Sequence, residues 1–121
     1  MLKREIIDWL DKMEIENYSL RDDLVDVEGD VDLSGRNLEV IPVQFGIVKG
    51  HFYCWGNDLK SLEGCPKTVG GNFYCFRNNL ESLKYLPDIK GELFCDDNLK
   101  DSEEYCKWKY HYVMNQRHEN I

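Results

Sequence analysis

The stretch "VKGHFYCWGNDLKSLEGCPKTVGGNFYCFRNNL", residues 48–80, contains one phrase twice. Val48-x-Gly50-x-Phe52-Tyr53-Cys54 returns as Val69-x-Gly71-x-Phe73-Tyr74-Cys75, and in both copies an asparagine follows (Asn57, Asn78) and then a leucine (Leu59, Leu80). A repeat decides the fold class before any single element is assigned, because one short copy cannot bury a core alone and must stack on its neighbour. Within each copy the polarity alternates as in a strand. Val48, Gly50, Phe52 and Cys54 share one side, while Lys49, His51, Tyr53 and Trp55 share the other. The second copy keeps the first set and changes most of the other. Positions kept between copies are those that stack in an interior, so the Phe73 and Cys75 side is expected to be the core.

Two further copies flank this pair: VEGDVDLSGRNLEVIP from Val27 and IKGELFCDDNLK from Ile89. Their glycines, at 29, 50, 71 and 91, are separated by 21, 21 and 20 residues. The pattern resembles the leucine-rich repeat, whose LxLxxNxL is met as Phe52-x-Cys54-x-x-Asn57-x-Leu59 and Phe73-x-Cys75-x-x-Asn78-x-Leu80. The resemblance spans about residues 25–100. The first copy carries Arg36 where asparagine is expected, and the last is one residue short after Asn98. The resemblance implies a ladder of asparagines, with Asn57, Asn78 and Asn98 satisfying backbone groups at each turn. Units this short leave no room for a full return helix. The return arm is expected to be extended or a single helical turn, which Pro42, Pro66 and Pro87 support.

The ends of such a stack need covers. Leu2, Ile6, Trp9, Leu10 and Met13 follow helical spacing, and Ile15, Tyr18 and Leu20 are expected to continue that cover towards the first strand. At the other end, Asp101 with Glu104 reads as a capping box. Beyond it, Cys106, Tyr110 and Val113 are expected to form the packing face, helped by Trp108 and Tyr105. Arg117 and His118 suit the helix end, and HENI is expected to fray. The expected fold is therefore an α/β repeat: a short leucine-rich-repeat solenoid with a parallel sheet of about four to five strands, capped by an N-terminal and a C-terminal α-helix. It forms one domain over 1–121, divided into a cap (1–24), the repeats (25–100) and a second cap (101–121).

Composition narrows the function classes. With 23 acidic and 15 basic residues the formal charge is −8, which repels a phosphate backbone and argues against direct nucleic-acid binding. The chain is 42% hydrophobic, too rich for disorder, although its mean hydropathy of −0.56 indicates a polar surface. The start, MLKREIIDWLDKMEIENY, lacks the apolar core of a signal peptide, and no stretch reaches the roughly 20 apolar residues of a membrane span, so a cytoplasmic protein without membrane contact is expected. The five cysteines, at 54, 65, 75, 95 and 106, show no zinc spacing and read as small buried hydrophobes. No metal, cofactor or enzyme activity is implied: there is no phosphate-binding glycine loop, and His51, His111 and His118 lie outside any catalytic motif.

If Phe73 and Cys75 point inward, then Asn72, Tyr74 and Phe76 line the outer face beside His51, Tyr53 and Trp55. Asp30, Asp32 and Ser34 lie on one flank and Glu92, Phe94 and Asp96 on the other. An exposed aromatic patch of this size is expected to be a docking surface. His51, Tyr53, Trp55, Asn72, Tyr74, Phe76, Arg77, Phe94, Asp32 and Asp96 are the candidate partner-binding residues. Asp30, Asp32, Asp96 and Asp97 would rim it with acid, which fits a protein partner carrying basic residues around an apolar hollow. Rings that pack on a flanking helix or pair across strands, and a homodimer through the same face, are the competing arrangements.

The wording of LEGCPKTVGGNFYC and VDVEGDVDLSGRNL is similar to small leucine-rich-repeat proteins of large tailed bacteriophages. That resemblance implies a non-catalytic effector or inhibitor that occupies a host protein, such as one of a defence system, in the host cytoplasm. Two other classes compete with it. An acidic nucleic-acid mimic would act through carboxylates, and a glycan-binding platform would stack rings on sugar faces.

Overall fold

A computed structural model describes residues 1–119 and shows a parallel-strand solenoid with a helix at each end. The fraying expected of HENI lies, from Asn120 onward, outside the described residues, as do the side chains of Arg117 and His118. The chain runs through α1 (Lys3–Lys12) into an antiparallel hairpin, β1 (Tyr18–Arg21) and β2 (Leu24–Val27). It then coils through β3 (Val31–Asp32), β4 (Gln44–Val48), β5 (Phe52–Tyr53), β6 (Thr68–Val69), β7 (Phe73–Tyr74), β8 (Asp88–Ile89) and β9 (Leu93–Phe94). A 3₁₀ turn, Asp97–Leu99, leads to α2 (Glu103–Glu119).

Each unit contributes two short strands, where the alternating pattern predicted one continuous run. The strands therefore form two sheets, ordered β1-β2-β4-β6-β8 and β3-β5-β7-β9. The break falls at Gly50, Gly71 and Gly91, which the alternation had placed in the interior. These glycines instead stand at the corner between the sheets. A Cβ there would collide with Asp30 Oδ1, His51 Nδ1 and Asn72 Oδ1 respectively, so side chains of the preceding turn occupy the space that a larger residue would need.

The core lies where the kept positions put it. Val48, Val69 and Ile89 face inward from one sheet, and Phe52, Phe73 and Leu93 from the other. Leu59, Leu62, Leu80 and Leu83 close the third side from the return arm. Phe45, Phe52 and Phe73 are fully buried and packed in sequence, with centroids 5.2 and 5.8 Å apart. Full burial of a side chain this size contributes about 1.5–3 kcal/mol, so the column of rings is a main source of stability. Cys54 and Cys75 are sealed inside and Cys95 nearly so.

The asparagine ladder is present at two of its three expected rungs. Asn57 Oδ1 accepts from the N–H groups of Arg36 and Leu38, and its Nδ2 donates to the carbonyls of Leu33 and Cys54. Asn78 accepts from Leu59 N–H and donates to Cys54 and Cys75. Asn98 is exposed and takes no part: the missing residue before Leu99 pulls the chain into the 3₁₀ turn. Asp96 supplies an acceptor in its place, taking Arg77 N–H at 3.0 Å.

The caps depart from the expected pattern in detail. Residues 18–21, assigned to the helical cap, are the antiparallel edge strand β1. In α1, Ile6 and Leu10 are buried and Trp9 meets Phe45 edge-on at 6.4 Å, but Leu2 is exposed. At α2 the cap is Ser102, whose Oγ accepts Tyr105 N–H, and not the box of Asp101 and Glu104. The packing stripe is Tyr105, Trp108 and Tyr112; Cys106 and Tyr110, expected to face inward, are exposed. Three rings in near succession, 5.5 and 5.1 Å apart, make a broader lid for the flat end of a coil than the Cys106 stripe would. Among the described residues, no helix is long and apolar enough to cross a membrane.

Candidate interaction surface

The outer face of the four-stranded sheet is built in columns, because parallel in-register pairing places equivalent residues of successive turns side by side. Phe52, Phe73 and Leu93 pair inward-facing neighbours; Tyr53, Tyr74 and Phe94, one residue on, pair as the outward column. The Tyr53 and Tyr74 rings stack at 4.6 Å and 11°, and Tyr74 and Phe94 at 4.7 Å and 5°. These separations are the strand spacing itself, so the backbone register sets the stack. Two residues further along, Trp55 and Phe76 stack at 5.3 Å and 5°.

The sequence pattern predicted exposed rings, with pairing across strands as the competing arrangement. All five are half-buried, because each covers a face of its neighbour; Tyr74, in the middle, has both faces covered. Stacking takes up both faces of Tyr74 and one face each of Tyr53, Phe94, Trp55 and Phe76. Burial raises the Tyr53 phenol above its ordinary value, with Tyr74, Asp30 and Asp32 adding to the effect.

Of the remaining candidates, His51 and Asn72 sit in a third column at the corner, with their acceptor atoms committed inside the fold. Asp30 Oδ1 accepts His51 N–H at 2.7 Å, His51 Nδ1 accepts Asn72 N–H at 2.9 Å, and Asn72 Oδ1 accepts Glu92 N–H at 2.9 Å. Glu92 ends the series by accepting the Tyr112 hydroxyl of α2 at 3.1 Å. The His51 ring is therefore held with Nδ1 unprotonated. Asn72 Nδ2 also donates to Tyr74 Oη, tying the corner to the ring column. The sequence reading missed this series, yet a signal was there: the residue after each repeat glycine, at 30, 51, 72 and 92, always carries a hydrogen-bond acceptor.

The expected rim residues flank the rings and each has an internal partner. Asp32 is exposed and accepts from Ser34 N–H and Oγ; Asp96 accepts Arg77 N–H; Asp97 pairs with Lys100 at 2.8 Å. That pairing holds the Asp97 carboxyl below its ordinary range. Arg77 is exposed with φ of 56°, at the turn where the preceding unit has Gly56 with φ of 70°. Among the described residues no three metal-ligating side chains gather. The chain matches no known family model, and no curated protein or solved structure shows significant similarity to it.

Proposed function

We propose that the protein is a non-catalytic interaction module, a short leucine-rich-repeat solenoid that docks a protein partner on the ring columns of its four-stranded sheet. The observation that carries the reading is the pair of coplanar stacks, Tyr53-Tyr74-Phe94 and Trp55-Phe76, lying side by side with Asp32 on one flank and Asp96 on the other. Rings held rigid by neighbours lose little entropy on binding, and aromatic anchors truncated at an interface typically cost roughly 2 kcal/mol or more. The carboxylates favour a partner with basic residues around an apolar hollow. The stacking weighs against a glycan platform, since sugars stack on ring faces and here both faces of Tyr74 and one face of each other ring are taken. By the resemblance of its repeat wording to phage proteins, the partner is a host protein and the role that of an inhibitor or effector in the host cytoplasm.

Capture of partners from host lysate by wild type and by the double variant Trp55→Ala, Phe76→Ala, at low and high salt, tests the reading. A partner lost with the rings, at about 30-fold weaker affinity per anchor, supports docking. Loss with salt alone supports nucleic-acid mimicry. Retention of every partner by the double variant in all conditions rejects this face.

A further inference from the structure

The five-stranded sheet stops with an unfilled edge. Within the stack, Val48 and Val69 each offer a carbonyl to the next turn: Gly70 N–H donates to Val48 O at 2.8 Å and Lys90 N–H to Val69 O at 3.0 Å. Ile89 stands in register with Val69 one turn on, and among the described residues its carbonyl takes no backbone donor. α2 does not seal this edge. Its Trp108 packs into the core and its Tyr112 reaches Glu92 in the other sheet, and a groove of about 960 Å³ remains between the helix and β8.

The charge of the groove points to its occupant. Among the described residues it carries a small positive excess on an acidic molecule: Lys84, Lys90 and Lys107 line it against Asp88 and Glu104, and of these lysines only Lys90 is paired with a carboxylate, Asp88 at 3.0 Å.

We infer that this groove receives an extended acidic peptide, which adds to β8 as the next strand of the sheet. Main-chain bonds to Ile89 would supply the affinity common to strand addition, and acidic side chains would meet Lys84 and Lys107. This site lies apart from the ring columns, so the two proposals stand or fall separately.

The test is a titration of the ¹⁵N-labelled full chain with acetyl-Glu-Val-Glu-Val-Glu-Val-amide. Saturable shifts are expected at the Ile89 and Lys90 amides and at the Trp108 indole, identified with Trp108→Phe. The pair Lys84→Glu, Lys107→Glu should weaken binding by about tenfold or more. A Lys-Val peptide should bind at least about tenfold more weakly than the Glu-Val peptide. Methylation of alternate peptide nitrogens should abolish binding, and Trp55→Ala with Phe76→Ala should leave it unchanged. The inference is overturned by the absence of saturable shifts up to millimolar peptide or by equal binding of the Lys-Val peptide. Full affinity of the methylated peptide, or loss of binding in the ring variant, overturns it as well.

Discussion

Asn57 is the one polar side chain buried among the described residues, and it holds two turns together through both ends of its amide. Replacing it with alanine strands the N–H groups of Arg36 and Leu38 and the carbonyl of Leu33, while the Cys54 carbonyl keeps its bond from Asn78 Nδ2. Asn57→Ala is expected to cost about 3 kcal/mol in urea unfolding, several groups losing their partners at once. Asn98→Ala is expected to change stability by no more than about 0.5 kcal/mol, as an exposed residue outside the ladder should. The two asparagines occupy the same place in the repeat wording. What separates them is one missing residue, since Leu59 follows Asn57 by two positions and Leu99 follows Asn98 directly. The motif identified the ladder; only the traced turn shows where it ends. His51 and Asn72 give the converse case. Their alternation placed them on the outer face, but the hydrogen bonds that hold them come from a corner that strand parity alone does not anticipate.

At the scale of elements, the hairpin of β1 and β2 is fixed to the coil by one carboxylate. Asp26 accepts from Arg21 Nε at 2.9 Å across the hairpin and from Ile47 N–H at 2.8 Å on β4. Gly46 leaves room for it, because a Cβ there would meet Asp26 Oδ1. The Arg21 guanidinium, and then the Ile47 N–H, hold the Asp26 carboxyl below its ordinary value. A carboxylate whose folded value is lowered stabilises the fold fully above the unfolded value of about 3.9, and that contribution is lost as pH falls through the lower folded value. Asp26→Asn should therefore be less stable than wild type at neutral pH, with the gap narrowing as pH falls below the unfolded value of about 3.9 in parallel melts. A gap that is constant with pH would show that the charge does not matter. The hairpin itself was hidden in the sequence, because Tyr18 and Leu20 lie just beyond a helical apolar pattern. α2 was legible as a helix but not in its orientation: apolar and aromatic side chains occur on two sides, and the choice fell to the side whose three rings lie broadly across the end of the coil.

For the whole molecule, the inside-outside assignment of the repeat is testable through sulfur. Cys54, Cys65, Cys75 and Cys95 are buried and Cys106 is exposed. The Cys65 thiol and burial push the Cys54 thiol well up, burial does the same for Cys75, and burial raises Cys95. Thiolates are thus scarce as well as shielded inside, and slow reaction is expected there. In the native state one of the five thiols, Cys106, should react promptly with an aromatic disulfide reagent, and Cys106→Ser should remove that fast phase. The other four should react only at the rate of unfolding. This large-scale organisation was the most legible part of the chain, because a period of 21 residues fixes which positions coincide from turn to turn. The division into two sheets was not, since alternation continues unbroken through a corner.

The acceptor after each repeat glycine has a consequence for how such a chain can grow. Asp30, His51 and Asn72 differ in charge, size and ring character, yet each accepts a backbone N–H of the following unit with one lone pair, and Glu92, at the end of the series, takes the Tyr112 hydroxyl of α2 instead. Units joined by so undemanding a connector are interchangeable, and duplicating a block of coding sequence one period long would insert a fresh unit whose junctions already match on both sides.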